Sequence, residues 1–261
     1  LITKQDELTA KCAEFKKAAY VTVDTEFLRD KTYYPKLCLI QICAPGEQPV
    51  AIDPLEENID LDPVRDLLCD QSIVKVFHAG RQDLEIFYNL FECIPAPIFD
   101  TQVAAMVCGY GDSAGYQRLV QEICNTQLDK AHQFTNWQYR PLTDKQLAYA
   151  LDDVTYLRDI YENLEAELKQ RGRSKWLDEE MAILSDPDTY ENPPEKAWER
   201  LKLKNTKPKT LAAARALADW REREAIRKNI PRTWILKDDT LVDLAQRGAT
   251  TPKDLERIRN F

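Results

Sequence analysis

The sequence predicts an α/β protein with a mixed β-sheet flanked by helices, followed by a small all-α module. Three observations support this prediction. Short runs rich in β-branched residues alternate with helical patterns in the first part of the chain, in the order β-β-β-α-β-α-β-α. A polar, proline-rich segment at residues 185–194 then interrupts the pattern. Only helical patterns follow that segment, so the 261 residues are expected to form two domains.

The predicted sheet has five strands, each a short apolar run bounded by turn residues. The first three follow one another closely, and Pro45 and Gly46 lie between the second and the third. These three can pair as a meander, whereas the last two need crossover helices and should run parallel. The predicted strands are residues 20–27, 37–44, 49–54, 73–78 and 97–100.

The predicted helices are identified from apolar periodicity and capping residues. Thr143 and Gln146 match a capping box that begins a long helix, and Gly172 is expected to end it. Asp60 is the expected N-cap of the first predicted helix. Asp100 is interpreted as an N-cap too, with a supporting role beside an acidic site as the alternative. Residues 128–141 are expected to be a loop. The other predicted helices are residues 61–68, 82–90, 101–108, 116–124, 208–228, 238–246 and 252–259.

Composition excludes several classes of protein. No apolar run approaches the roughly 20 residues that a membrane-spanning helix needs, so no membrane association is expected. The usual glycine-rich nucleotide-binding loops are absent. The seven cysteines form no Cys-x-x-Cys pair, and only two histidines are present, which argues against a zinc site. We expect buried, reduced thiols without disulfides, as is typical of a cytoplasmic protein.

The net charge of −8 conceals an asymmetry along the chain. Residues 1–194 carry 19 basic and 34 acidic side chains, a net charge of −15, whereas residues 195–261 carry 17 and 10, a net charge of +7. An acidic domain binds a polyanion poorly unless metal ions or a local basic surface offset its charge. The two parts are therefore expected to do different jobs.

Four carboxylates lie where predicted strands end or on a helix that can face those ends. Asp24 and Glu26 are two residues apart in the first strand, so their side chains point to the same face. Asp83 follows the fourth strand after a short turn. Asp153 lies on the long helix four residues after Tyr149, so the phenol and the carboxylate share one helical face.

Clustered carboxylates near a core are costly unless cations compensate them. Oxygen ligands without Cys or His suit Mg²⁺ or Mn²⁺. Two such ions can bind the attacking water and the leaving oxygen of a phosphodiester. An acidic domain that holds such ions can therefore hydrolyse a polyanion.

Five sequence motifs follow one another in order within residues 1–175. They are VDTEFLR at 23–29, YYPKLCLIQI at 33–42, HAGRQDLE at 78–85, FDTQ at 99–102, and RPL at 140–142 with YALDD at 149–153. Together they resemble the ribonuclease D family of 3′→5′ exoribonucleases. This resemblance implies an RNase H-like fold. The tail resembles an HRDC domain, a helical nucleic-acid-binding module. The implied domains are 1–175 (exonuclease), 176–197 (linker) and 198–261 (HRDC-like, expected to be incomplete because the remaining chain is short).

The resemblance also implies roles for the site residues. It makes Asp24, Glu26, Asp83 and Asp153 the ligands of two divalent cations, Mg²⁺ or Mn²⁺, and Tyr149 the group that orients the attacking water. Asp152 is a rival ligand, but only Asp153 has the four-residue spacing from Tyr149. The implied reaction releases 5′-mononucleotides from the 3′ end of RNA. In this family the natural substrates are structured RNA precursors, notably tRNA 3′ ends.

Several assignments stay open at the level of sequence. Phe27 and Leu28 are either core residues or a wedge against the terminal base. His78 is either a buried structural histidine or a substrate contact. Arg140 contacts a phosphate or anchors its loop to a carboxylate.

Two functional alternatives also stay open, as does one question about the tail. The rival functions are a DNA exonuclease of the same fold and a catalytically silent nucleic-acid-binding module. A basic run in the tail is either an RNA contact or an ordinary solvated surface. That run is Arg221, Arg223, Arg227, Lys228 and Arg232. Oligomeric state is not predicted.

Overall fold

The computed structural model describes residues 1–128, 135–204, 207–248, 251 and 255. The chain divides into two compact units. The first unit comprises Leu1–Leu28 and Leu37–Tyr190, and the second comprises Arg29–Lys36 and Glu191–Phe261. The division after Tyr190 falls within the segment 176–197 that the sequence suggested as a linker. The first nine residues of that segment are instead helical.

A five-stranded mixed sheet forms the centre of the first unit, which confirms the predicted fold class. The strands are β1 (Tyr20–Leu28), β2 (Lys36–Cys43), β3 (Val50–Ile52), β4 (Val74–Phe77) and β5 (Ile98–Asp100). Their spatial order is β3-β2-β1-β4-β5. β2 and β3 are antiparallel, and β4 is parallel to both β1 and β5, as the crossover helices require.

Seven α-helices surround this sheet in the described part of the first unit. They are α1 (Gln5–Phe15), α2 (Asp62–Leu68), α3 (Arg81–Phe91), α4 (Thr101–Cys108), α5 (Tyr116–Cys124), α6 (Asp144–Arg171) and α7 (Ser174–Leu184). The capping box of Thr143 and Gln146 is present, and Gly172 ends α6 with a positive φ of 65°. Asp60 is not the N-cap of α2. Leu61 has that place, and the Asp60 carboxylate accepts a hydrogen bond from the Asp62 amide at 2.9 Å.

Helix α6 packs against the sheet. Its contacts with β1 place the N-terminal turns of the helix beside that strand. Leu157, Ile160 and Leu164 are buried and belong to the main hydrophobic core. The Thr22 hydroxyl of β1 donates to the Val154 carbonyl at 2.8 Å, which ties the first strand to this helix. The residues that follow Thr22 on the same face of β1 therefore lie beside the first turns of α6.

One pair of cysteines departs from the expectation that all seven are free thiols. Cys69, which ends α2, and Cys93, which follows α3, lie at disulfide distance from each other. Their 24-residue separation contains a whole strand and helix, and spacing alone gives no signal of such a pair. The other five cysteines are free, and four of them are buried as expected.

The second unit is helical in its described residues. It contains α8 (Pro208–Lys228), α9 (Arg232–Ile235) and α10 (Asp238–Arg247) around a small core that includes Ala214, Ala218 and Leu241. Apart from Leu255, the predicted helix at 252–259 lies outside the described residues. No helix in the described ranges is long and apolar enough to cross a membrane.

Most of the basic run in the second unit is paired internally. Arg221 is 1% exposed and donates to Asp238 at 2.7 Å. Arg223 pairs with Asp219, and both Arg227 and Lys228 pair with Glu224. These pairs satisfy the cations locally, so the run is not a continuous surface of unpaired positive charge.

Candidate active site

Three carboxylates converge at the C-terminal half of β1. One carboxylate oxygen from each of Asp24, Glu26 and Asp153 lies within 4.8 Å of the other two. Asp24 and Glu26 share a face of the strand because side chains alternate with a period of two. Asp153 reaches them from α6, which the Thr22 hydroxyl ties to the same strand. Three oxygen donors at this spacing can bind a single cation.

Asp83 belongs to the same acidic region but not to the three-carboxylate group. It lies in the first turn of α3 and is 7% exposed. Its carboxylate accepts a short hydrogen bond from the Thr25 hydroxyl of β1. Asp83 is near enough to raise the pKa of Asp24 by charge repulsion. The structure therefore places Asp83 beside the cluster.

The turn that carries Asp83 is fixed by Asp100. The Asp100 carboxylate accepts hydrogen bonds from the Ala79 and Gly80 amides at 3.1 and 2.8 Å, and also caps α4 through Gln102 and Val103. The N-cap role was the preferred interpretation of the sequence. The bonds to the β4–α3 turn were missed, because nothing in the spacing of Asp100 indicates a contact 20 residues back.

Glycine is required in this turn by close packing. A Cβ atom at Gly80 would lie 2.5 Å from the Cβ of Phe77, which real contacts do not allow. The turn thus combines a residue without a side chain and a carboxylate that binds two of its amides. Both features hold the start of α3, and with it Asp83, close to β1.

Tyr149 lies one turn before Asp153 on α6 and lines the same cavity. The cavity has a volume of about 570 Å³. Asp24, Asp153, His78 and Tyr116 also line it. The cavity is thus lined by acidic residues of the cluster together with polar and aromatic side chains. It offers space for a ligand next to the carboxylates.

Asp152, the rival ligand, also lines this cavity but is outside the three-carboxylate group. Its backbone carbonyl accepts a hydrogen bond from the Tyr116 hydroxyl at 2.8 Å. That bond fastens α5 to α6. The geometry therefore favours Asp153 over Asp152 as the residue that works with Asp24 and Glu26.

Ionisation of the clustered carboxylates is strongly disfavoured in the absence of a cation. Burial, followed by mutual repulsion, raises the pKa of Asp24 well above its usual range and that of Glu26 to about 9. Burial likewise raises the pKa of Asp83 and of Asp153 to about 7. Such a site gains most from a bound cation, which would compensate the charges that burial penalises. All four donors are carboxylates, so they suit a hard divalent ion.

The Tyr149 hydroxyl stays protonated at neutral pH. Burial raises its pKa, and the negative charges of Asp153, Glu26 and Asp24 raise it further. The neutral phenol can donate one hydrogen bond and accept another, but it cannot act as an anionic base. Its ring lies beside that of Trp137, with centroids 6.2 Å apart.

His78 faces the cavity, as one of its two interpretations requires. Its Nδ1 lies 2.9 Å from the Thr101 hydroxyl, and its ring lies 5.5 Å from that of Tyr116. Burial lowers its pKa, so the imidazole is neutral at pH 7. Leu28 packs in a cluster with Trp137 and Tyr149, next to the site. Phe27 is half-buried, and strand alternation points it away from Glu26.

The guanidinium of Arg140 is bound by protein groups. Its guanidinium binds the Asp53 carboxylate through two nitrogens, at 2.5 and 2.7 Å, and donates to three backbone carbonyls. Asp53 is 1% exposed, so the guanidinium is drawn to a buried charge rather than to the cavity. Of the two roles suggested by the sequence, the structure supports the loop anchor.

Comparisons with known proteins agree with this site. Residues 1–169 match a 3'-5' exonuclease family, and residues 210–261 match the HRDC domain. A ribonuclease D from Nitrobacter hamburgensis is 52% identical over the full length of this chain, which spans 68% of that protein. The chain belongs to the ribonuclease D family. Membership of this family, together with the exonuclease match, makes it a 3′→5′ exoribonuclease.

Solved structures show the same relationship. Escherichia coli RNase D, described as an exoribonuclease involved in structured RNA processing, superposes with a TM-score of 0.92 at 34% identity. The match covers 99% of this chain and 69% of that one. Brucella melitensis NrnC with bound Mg²⁺ matches 74% of this chain and 94% of that one, with a TM-score of 0.61 and 28% identity. The fold and the acidic cluster thus fit an exonuclease that uses divalent metal ions.

Proposed function

We propose that this enzyme uses two divalent cations, Mg²⁺ or Mn²⁺, held by Asp24, Glu26, Asp83 and Asp153. The observation that carries the proposal is the convergence of three carboxylates within 4.8 Å at the edge of a 570 Å³ cavity. Bound there, the cations would lower the pKa of the attacking water and stabilise the charge of the leaving oxygen. Asp24 would contact both ions, Glu26 and Asp153 one of them, and Asp83 the other through water.

The side chains of the site would divide the remaining work. Tyr149, as a neutral phenol, would hold the attacking water by a hydrogen bond and orient it toward the phosphorus. His78, which lines the cavity, would contact the 3′-terminal nucleotide. Leu28, on the same face of β1 as Glu26, would pack against the terminal base, whereas Phe27 points to the other face of the strand and would not. Hydrolysis would release a 5′-mononucleotide and leave a new 3′-hydroxyl on the RNA.

The RNA substrates follow from the relatives. Because the E. coli relative processes structured RNA, we propose structured precursors with free 3′ ends as substrates, among them those of tRNA. The second unit would add affinity for RNA through its positive charge. An enzyme with such substrates would act in the cytoplasm, where these precursors are processed.

The metal and sugar requirements are tested with two oligonucleotides of one sequence, RNA and DNA, each labelled at the 5′ end. We expect 3′-end shortening of the RNA with Mg²⁺ or Mn²⁺, slower shortening of the DNA, and no cleavage in excess EDTA. Full activity in EDTA would contradict the metal site, and faster cleavage of the DNA would favour the DNA exonuclease alternative.

The ligand assignment is tested with two neighbouring substitutions on α6. Asp153→Asn should remove nearly all turnover, because it deletes one carboxylate of the three-membered group. Asp152→Asn is the matched control, since it changes the same charge one residue away and outside that group. Steady-state kinetics on a short RNA would distinguish them. Equal losses would mean that net charge matters rather than a specific ligand.

A further inference from the structure

The guanidinium of Arg140 is fully occupied by the surrounding structure. An arginine side chain has five N–H donors in a fixed planar arrangement. Here Nε and Nη2 bind the two Asp53 oxygens, Nη2 also donates to the Cys38 carbonyl at 2.7 Å, and Nη1 donates to the Trp137 and Tyr139 carbonyls at 2.7 and 3.0 Å. Five donors thus make five contacts.

These contacts join two different parts of the first unit. Asp53 directly follows β3, and Cys38 lies in β2, so one side of the guanidinium is fixed to the sheet. Trp137 and Tyr139 lie in the loop before α6, so the other side holds that loop. The Asp53 side chain is 1% exposed, and its Oδ1 also accepts the Leu55 amide at 3.0 Å, which keeps the carboxylate from rotating.

The loop held by Arg140 forms the support of Tyr149. The buried Trp137 ring lies 6.2 Å from the Tyr149 ring, tilted by 31°, within a cluster that also contains Leu142 and Ala150. Helix α6 begins at the capping box of Thr143, three residues after Arg140. Arg140 therefore fixes both the ring that packs against Tyr149 and the point where its helix starts.

We propose that the Arg140–Asp53 pair is a positioning pair for Tyr149: it holds Trp137 and the start of α6 so that the phenol hydroxyl meets the attacking water. This inference rests on the role proposed above for Tyr149. The geometry explains why an arginine is needed, since a lysine ammonium is a point donor that cannot bridge Asp53 and three carbonyls at once. Neither Arg140 nor Asp53 needs to touch RNA or metal.

A double-mutant cycle tests this coupling in the full chain. Arg140→Lys keeps the charge but loses the planar contact, and should lower kcat by about tenfold or more with little change in KM, because small misplacements of a catalytic group are costly. In a Tyr149→Phe background, the same substitution should lower kcat by less than about threefold, since the hydroxyl it positions is already gone. Asp53→Asn should follow the same pattern.

A control variant and a choice of temperature separate positioning from general stability. Arg65→Lys changes an exposed arginine that pairs with Asp62 and Asp66, and should leave kcat unchanged. All rates are measured well below the melting temperature of each variant.

Several outcomes would overturn the proposal. Equal losses in both backgrounds would mean that Arg140 acts independently of Tyr149, and a rise in KM alone would indicate a phosphate contact. If neither Arg140→Lys nor Asp53→Asn folded, the pair would serve the fold rather than the tyrosine. A Tyr149→Phe enzyme with the wild-type rate would instead contradict the role of Tyr149 itself.

Discussion

At the scale of single residues, the site depends on groups whose protonation is set by burial. The four carboxylates are shifted toward the protonated form, and Tyr149 is held neutral by the same negative surroundings. A divalent ion reverses the first effect, because it stabilises the carboxylates as anions. The phenol has no such compensation and remains a hydrogen-bonding group. This difference separates the metal ligands from the residue that orients water.

Tyr149→Phe tests that division of roles. The ring remains, so its contact with Trp137 should persist and the melting temperature should change little. Loss of the hydroxyl should lower kcat by about 10²–10³-fold, the range for one well-placed polar group at a reacting centre. KM and the metal concentration for half-maximal activity should stay nearly constant. Steady-state kinetics beside a thermal melt would decide the matter, and a folded variant with the wild-type kcat would leave Tyr149 with a packing role only.

The sequence was most informative about the positions of the buried carboxylates. Asp24 and Glu26 could be placed on one face from their spacing alone, and Asp153 could be preferred to Asp152 from its register with Tyr149. Arg140 could not be assigned, because an arginine before a helix can bind a phosphate or a carboxylate equally well. Its partner Asp53 lies 87 residues away, and local patterns carry no information about such a contact.

At the scale of elements, the β4–α3 turn decides where Asp83 lies. The turn contains Ala79 with a φ of 54° and Gly80 packed directly over Phe77. The Asp100 carboxylate holds its two amides and also begins α4. One side chain thus stabilises a strained turn and a helix N-terminus together.

Asp100→Ala should therefore affect both stability and activity. Four amides would lose their acceptor, and we expect a loss of at least about 2 kcal/mol in the free energy of unfolding, more than for a simple N-cap. Turnover should also fall, because the first turn of α3 would no longer be fixed beside β1. Denaturant unfolding and kinetics would measure the two effects.

A matched control is Asp186→Ala, which removes an N-cap carboxylate from the short 3₁₀ turn at Pro187–Thr189. It should cost less stability and leave turnover unchanged. If Asp100→Ala behaved like this control, the turn would be held by packing around Gly80 and not by the carboxylate.

The elements themselves were largely predictable. The bounds of α4, α5 and α8 match the expected residues, and each helix ends at a Gly or Asn in the left-handed conformation. Helices α1 and α7 were not anticipated. α1 buries only Leu8, Cys12 and Phe15 among charged residues, and α7 buries only Leu177 and Met181. Because only two or three of the eleven residues are buried in each helix, the core-facing stripe is hard to recognise without the tertiary structure.

At the scale of the whole molecule, the buried carboxylates link stability to pH and metal. In the metal-free protein, the raised pKa values of Asp83, Asp153 and Glu26 mean that the folded state holds more protons than the unfolded state between about pH 4 and 9. Their contribution to stability is therefore present at low pH and is lost as the pH rises through about 7 to 9. Burial lowers the pKa of His78, so this residue reduces the stability of the folded state as the pH falls below the usual histidine pKa. It does not affect the pH dependence above that value.

We therefore expect the melting temperature of the metal-free protein to fall between pH 6.5 and 8.5, by about 3 °C or more. Mg²⁺ should restore it, and the gain should be larger at pH 8.5 than at pH 6.5, because the ion binds the deprotonated carboxylates. Asp24→Asn should reduce both the pH dependence and the metal effect. Melts in EDTA and in Mg²⁺ at matched ionic strength would test this, and an equal Mg²⁺ gain at both pH values would contradict the linkage.

The charge asymmetry of the chain makes a further prediction about RNA affinity. The basic run is mostly paired, so it is a poor candidate for the RNA contact. A cavity of about 630 Å³ in the second unit is a better one, since Arg200, Lys202, Lys204 and Lys237 line it. Of the acidic residues on its wall, Asp238 and Asp243 are each bound by an arginine.

Substituting Lys202, Lys204 and Lys237 together by Gln should weaken RNA binding and make it less sensitive to salt. If each lysine contacts a phosphate, the slope of log K against log salt should flatten by about 2, at roughly 0.7 per contact on a single strand. The kcat at saturating RNA should be unchanged, since none of the three lysines lines the acidic cavity.

The matched control substitutes the paired cations Arg223, Arg227 and Lys228 by Gln, which removes the same net charge. If both triple variants lost affinity equally, overall charge would account for the binding. An unchanged slope in the lysine variant would show that this cavity does not contact RNA. A flatter slope in that variant alone would place the affinity of this acidic enzyme for its polyanionic substrate in the second unit.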